Sequence, residues 1–299
     1  EPGHPSLLAL QGMIELRRGD AERAVALLTE ATRRAPRDRT ALHALGCAYL
    51  AREHFAFAEQ TFRTLLEVAP DSDSVRVMVA QLALRQGRPA DALRELQPLL
   101  ADPARATPQV RRFAGELELG AGRPERALPL LREALAAQPG DPQVLAAITA
   151  TWRRLGDAAD ARRTLDAALA TAPESDAAWR ARLAFENGPA AAALVADWRR
   201  QRPESLEAMD AEMAVLLAAG RGEEAAVVAR QVLERAPVDA RAEMCVVDDL
   251  MARDPQAAGA RLDELIAAAQ APGDRAALET WRALALHRGG DFAGALEAW

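Results

Sequence analysis

Prolines recur in this chain at an almost fixed interval, at Pro2, Pro36, Pro70, Pro139, Pro173, Pro203, Pro237 and Pro272. The gaps are 34, 34, 69, 34, 30, 34 and 35 residues, so the 69 holds two periods. Proline lacks an amide hydrogen and drives the preceding residue out of helical geometry, so each one closes a helix. A second ladder lies between the first: Gly19, Gly87, Gly122, Gly156, Gly188, Gly220 and Gly290. Glycine there takes the positive φ that a tight helix C-cap often needs. Two punctuation marks in phase define short helix pairs, and a period of this length marks a stacked-repeat solenoid.

With Pro5 as position one, the first repeat supplies Leu8, Gly12, Ala24, Leu28, Ala31 and Pro36. The second supplies Leu42, Leu45, Gly46, Tyr49, Ala58, Phe62 and Pro70; the fifth supplies Leu145, Ile148, Trp152, Ala161, Leu165, Ala168 and Pro173. Small residues at positions 8 and 20 let two helices approach while large ones fill the adjoining holes. This combination resembles the tetratricopeptide repeat, whose pattern has bulky residues at 4, 7, 11 and 24, small ones at 8, 20 and 27, and proline at 32. The resemblance covers essentially the whole chain. It implies an all-α, right-handed superhelical solenoid of about nine helix-turn-helix repeats of about 34 residues.

The expected repeats are 5–38, 39–72, 73–107, 108–141, 142–175, 176–205, 206–239, 240–275 and 276–299, with 1–4 as the tail of a preceding one. Both ends cut through repeats, so an excerpt of a longer polypeptide is expected. Glu53 stands where the second turn would have glycine, and Pro98 should kink or shorten its helix. The sixth repeat is four residues short, close to one helical turn, and Asn187-Gly188-Pro189 stops its first helix. A local change of curvature is expected there. Asp254-Pro255 occupies the eighth turn.

A solenoid of 299 residues adds core linearly with each repeat, so its length does not imply two domains. No run of eighteen apolar residues is present for a membrane span. The net charge of −7 disfavours nucleic-acid binding, which needs a basic surface. All 37 basic residues are arginine. Cys47 and Cys245 lie on apolar helix stretches far apart in the repeat order and read as buried free thiols, which leans toward a reducing, cytoplasmic compartment.

Positions 2, 5, 9 and 12 of each first helix form one stripe, which in the resembling family lines the concave groove. It reads Ser6, Ala9, Met13, Leu16, then Thr40, His43, Cys47, Leu50, then Ser74, Val77, Gln81, Leu84. Gln109, Arg112, Glu116, Arg153 and Arg180 follow, with Arg85 and Arg154 beside them, then Glu207, Asp210, Met244, Asp248 and Met251. The candidate binding residues are His43, Gln81, Arg85, Arg112, Glu116, Arg153, Arg154 and Arg180. Such arginines suit an acidic protein or extended peptide through bidentate hydrogen bonds; alternatively they are solvated or paired with neighbouring carboxylates. The family's carboxylate clamp needs lysine and asparagine on this stripe, and neither is there.

His4, His43, His54 and His287 are scattered, with no metal-binding pair, phosphate loop or nucleophile elbow. No catalytic residue, cofactor or metal is expected. Two functions remain open: a binding scaffold, or, as the family resemblance alone implies, an appendage of a bacterial glycosyltransferase, sulfotransferase or exopolysaccharide export protein, the last being periplasmic. Self-association through Trp281, Phe292 and Trp299 at the truncated last repeat is a third possibility.

Overall fold

The structure, a computed structural model, describes residues 4–269 and 272–298. Among these the chain is all-α, with eighteen helices and no strand. Residues 1–3 of the expected repeat tail and Trp299 lie outside the described residues. The chain divides into two compact units, Glu1–Ala158 and Ala159–Trp299.

Unit one contains α1 (Pro5–Arg18), α2 (Ala21–Arg34), α3 (Arg39–Ala51), α4 (Phe55–Val68), α5 (Asp73–Arg85), α6 (Pro89–Leu100), α7 (Pro108–Gly120), α8 (Pro124–Ala137) and α9 (Pro142–Leu155). Each helix of a pair lies against its partner, and each second helix against the next first helix. First helices also touch across repeats, α1 with α3 and α7 with α9. The contact is close because one residue is removed. A Cβ added at Gly12 would sit 2.5 Å from Leu28, at Gly46 2.5 Å from Phe62, and at Gly115 2.7 Å from Leu131. These are positions 8 and 24 of three repeats, and the large partner is fully buried each time.

The turns are built alike. The Asp20 N–H donates to Glu15 O at 3.0 Å and the Arg88 N–H to Ala83 O at 2.9 Å, closing each first helix over a left-handed residue. Glu53 takes that conformation without being glycine, at φ 57°, and the His54 N–H still donates to Tyr49 O. A further regularity follows the closing prolines, where Pro-x-Asp or Pro-x-Ser supplies the next N-cap. Asp38 accepts from Thr40 and Ala41 N–H, Asp141 from Gln143 and Val144, Ser205 from Ala208 and Asp239 from Ala242. Each such cap stabilises its helix by about 1 kcal/mol. Pro98 is accommodated inside α6, which at 12 residues is two shorter than α2, α4 and α8.

Unit two contains α10 (Ala158–Thr171, all but its first residue), α11 (Asp176–Leu183), α12 (Gly188–Gln201), α13 (Leu206–Ala218), α14 (Gly222–Arg235), α15 (Ala240–Arg253), α16 (Pro255–Ala268), α17 (Pro272–Arg288) and α18 (Phe292–Ala298). The missing turn falls entirely on α11, which has 8 residues while α12 keeps 14. Two tryptophans fill the gap: Trp179 and Trp198 stack at 6.1 Å and 7°, and their indole N–H groups donate to Pro173 O and Asp176 Oδ1. Asp254 alone links α15 to α16, serving as C-cap of one and N-cap of the other. The last first helix begins at Pro272, four residues ahead of the expected Ala276. That proline opens α17 where it was expected to close the preceding repeat, in keeping with its tolerance at N1.

Candidate functional site

The first helices carry the stripe, and their side chains fall into three groups. Some are core: Ala9 is buried with Leu28 and Ala44, and Met251 with Ala258, Leu262 and Ala285, so neither faces a ligand. Others are already engaged. Arg112 Nη1 bonds Glu116 Oε1 one turn along α7, the pairing that position spacing of four allows. The Arg154 guanidinium donates to the Leu119 carbonyl at 2.6 Å, covering the end of α7. Arg180, in unit two, lies 3.0 Å from Glu207 of the next first helix.

The remaining candidates face solvent in unit one. His43 is exposed, its ring edge-on to Phe62 at 5.9 Å and its Nδ1 3.8 Å from Cys47 Sγ. Cys47 is half-buried and Cys245 buried; both are free, and burial pushes both thiols up, away from nucleophilic character. The exposed Arg85 guanidinium lies 5.6 Å from the Phe55 ring centroid, a cation–π contact. Gln81 and Arg153 are exposed and have no side-chain partner among the described residues. The exposed candidates are thus His43 on α3, Gln81 and Arg85 on α5, and Arg153 on α9.

Carboxylates set the electrostatics behind this face. Burial alone would push Glu59 up, but hydrogen bonds from Arg88, Arg63 and Gln86 together outweigh it and hold the carboxyl below the usual range. Because Arg88 and Gln86 come from the next repeat, this buried acid locks two repeats together. In unit two the stripe is acidic. Burial raises Asp210 and Asp248, and Asp210 Oδ1 is buried without a hydrogen-bond partner. None of these inter-repeat partners is visible in the sequence, since they lie 27 to 35 residues apart.

No group of three or more potential metal ligands occurs among the described residues, and no helix there is long and apolar enough to cross a membrane. Two profiles of the tetratricopeptide repeat match the chain, one at residues 118–184 and the other at 9–74, 43–96 and 77–142. Together they span more than half of it, and the chain belongs to the tetratricopeptide-repeat family. Among solved structures it is similar to the MamA protein, with 15% identity and a TM-score of 0.51 over 57% of this chain and 92% of that one. MamA from Desulfovibrio magneticus RS-1 aligns at 20% identity and TM-score 0.50, over 57% of this chain and 97% of that one. A tetratricopeptide repeat protein from Parabacteroides merdae ATCC 43184 aligns at 15% and 0.50, over 81% and 96%. At these identities the likeness concerns the fold alone. No curated protein matches the sequence.

Proposed function

We propose that the chain is a non-catalytic scaffold that holds an acidic protein segment or extended peptide on the inner face of unit one. The observation that carries this reading is the exposure of Arg85 on α5 and Arg153 on α9, two guanidinium groups with no carboxylate partner among the described residues. Exposed arginine recognises carboxylates bidentately, and its planar fork loses little entropy on binding. Arg112 joins by releasing Glu116, and Arg154 by releasing the Leu119 carbonyl. Arg180 would do the same in its own unit by releasing Glu207. His43 and Gln81 add hydrogen bonds to an extended backbone, the mode in which rigid repeat scaffolds take peptides.

The test compares the full chain with Arg85→Glu/Arg153→Glu as bait in lysate, eluting with a synthetic poly-glutamate peptide. A partner held by the first, lost by the second and released by the peptide is expected. Equal retention by both would remove the inner face of unit one from the binding site.

A further inference from the structure

Beside the shortened helix of unit two lies a cleft of about 1090 Å³, built by α12, α13 and α14. Leu183, the last residue of α11, and the turn from Glu186 to Pro189 form one end of it. Its walls are small: Ala192 on α12 and Ala211, Ala214 and Ala218 on α13, with Val195 and Val215 between them. Val227 of α14 stands at its edge, 51% exposed. In unit one a small residue on one helix faces a large one on another at three crossings, Gly12 with Leu28, Gly46 with Phe62 and Gly115 with Leu131. Here the small residues are present and the large partner is not.

The polar groups argue for a macromolecular guest over a small polar ligand. Glu212 and Gln231 are held by Arg199, Glu224 by Arg221, and Glu186 by Arg162 and Arg182, which leaves the exposed Asn187 amide at one end as the polar side chain of the lining without a partner among the described residues. A small-ligand site ordinarily has a few such groups to fix orientation. The charge is also one-sided. Each of the three carboxylates that line the cleft is paired with arginine, yet unit two as a whole holds 24 acidic residues and 16 arginines, a net −8. Unit one, with 21 arginines and 20 acidic residues, is close to neutral. The Arg221 guanidinium holds the Glu224 carboxyl below its usual range, so the edge of the cleft stays ionised well into mild acid.

From this we infer that the cleft between α12 and α14 seats a basic amphipathic helix of a partner protein. Its bulky aliphatic or aromatic side chains enter the alanine walls, and its flanking arginines or lysines meet Glu212 and Glu224. Alanine walls let the guest backbone approach closely, as ridges-into-grooves packing requires, and opposite charge steers its approach and fixes its direction. This site is separate from the inner face of unit one and takes a partner of the opposite charge.

The experiment uses fluorescence anisotropy on the full chain with two labelled synthetic helical peptides. Both carry leucine at positions i, i+3, i+4 and i+7; one has arginine on the flanks and the other glutamate. The arginine peptide is expected to bind at least tenfold more tightly than the glutamate peptide, about 1.4 kcal/mol, and to weaken as salt rises. Ala214→Leu/Ala218→Leu, which fills the floor, is expected to lower its affinity at least tenfold. Val227→Gln at the exposed edge gives a milder loss without touching the core, and covers the case in which the filled variant fails to fold. Arg85→Glu/Arg153→Glu should bind this peptide unchanged. Equal binding of the two peptides would overturn the inference, as would no binding up to about 1 mM or full affinity in both cleft variants. So would sedimentation showing that wild type is a dimer which cleft filling dissociates, since the occupant would then be a second copy.

Discussion

Unit one and one repeat of unit two solve the same packing problem with opposite assignments. In unit one the first helix gives the small residue and the second the large one, as in Gly12 with Leu28, Gly46 with Phe62 and Gly115 with Leu131. In unit two the corresponding residues of one repeat are Met213 and Ala229, with the large side chain on the first helix; both are buried in one cluster. The repeat thus requires a filled volume at this crossing and leaves open which helix fills it. Beside the shortened α11 the stacked tryptophans pack with Leu183 and Leu194, and the cleft lies next to them along α12, α13 and α14.

The largest effects should come from removing the volume each unit depends on. Phe62→Ala and Trp198→Ala are each expected to cost about 3–5 kcal/mol in denaturant unfolding. If Trp198→Ala cost under about 1 kcal/mol, the stacked pair would not be what closes the short repeat. Gly46→Ala sharpens the comparison, because alanine ordinarily favours a helix over glycine by about 1 kcal/mol. Here the added methyl meets the Phe62 ring, and a net loss of about 1–3 kcal/mol is expected. A stabilised Gly46→Ala would show that the first helix has room to spare.

Smaller effects separate the turns and the charges. Glu53→Gly relieves a left-handed non-glycine residue and should raise stability by about 1 kcal/mol; unchanged melting would mean that the turn carries no strain. Asp210, raised by burial, favours the folded state only while protonated. Its contribution is complete below the ordinary carboxylate range and is lost as pH rises through its higher folded value. Asp210→Asn should therefore raise Tm at pH 7 and leave it unchanged at pH 3. Glu59 has the opposite sign: held below its usual range, it stabilises at neutral pH and loses that contribution in acid. Glu59→Gln should accordingly lower Tm at pH 7 more than at pH 3.

Much of this architecture is legible in the sequence because helix ends are written locally. Proline, the left-handed glycine and the cap residue act within a few positions, and even the substitution at Glu53 shows as a gap in the glycine ladder. The 30-residue interval announces a lost turn at the sixth repeat. The site was less legible. Exposure of Gln81 and Arg153 follows from helical phase, but the engagement of Arg154 with the Leu119 carbonyl depends on how close two repeats come. Phase also failed for Ala9 and Met251, which a one-face reading sends outward and the packing of neighbouring helices covers. The cleft leaves no motif at all, because it is made of alanines that elsewhere in the chain mark tight packing.

The most direct measurement is a paired calorimetric titration of an acidic extended peptide and a basic helical peptide into three proteins. These are the full chain, Arg85→Glu/Arg153→Glu, and Ala214→Leu/Ala218→Leu. The acidic peptide is expected to be lost only by the arginine variant and the basic peptide only by the filled cleft. Loss of both peptides in the same variant, or of neither in either, would contradict two sites of opposite charge preference on one scaffold.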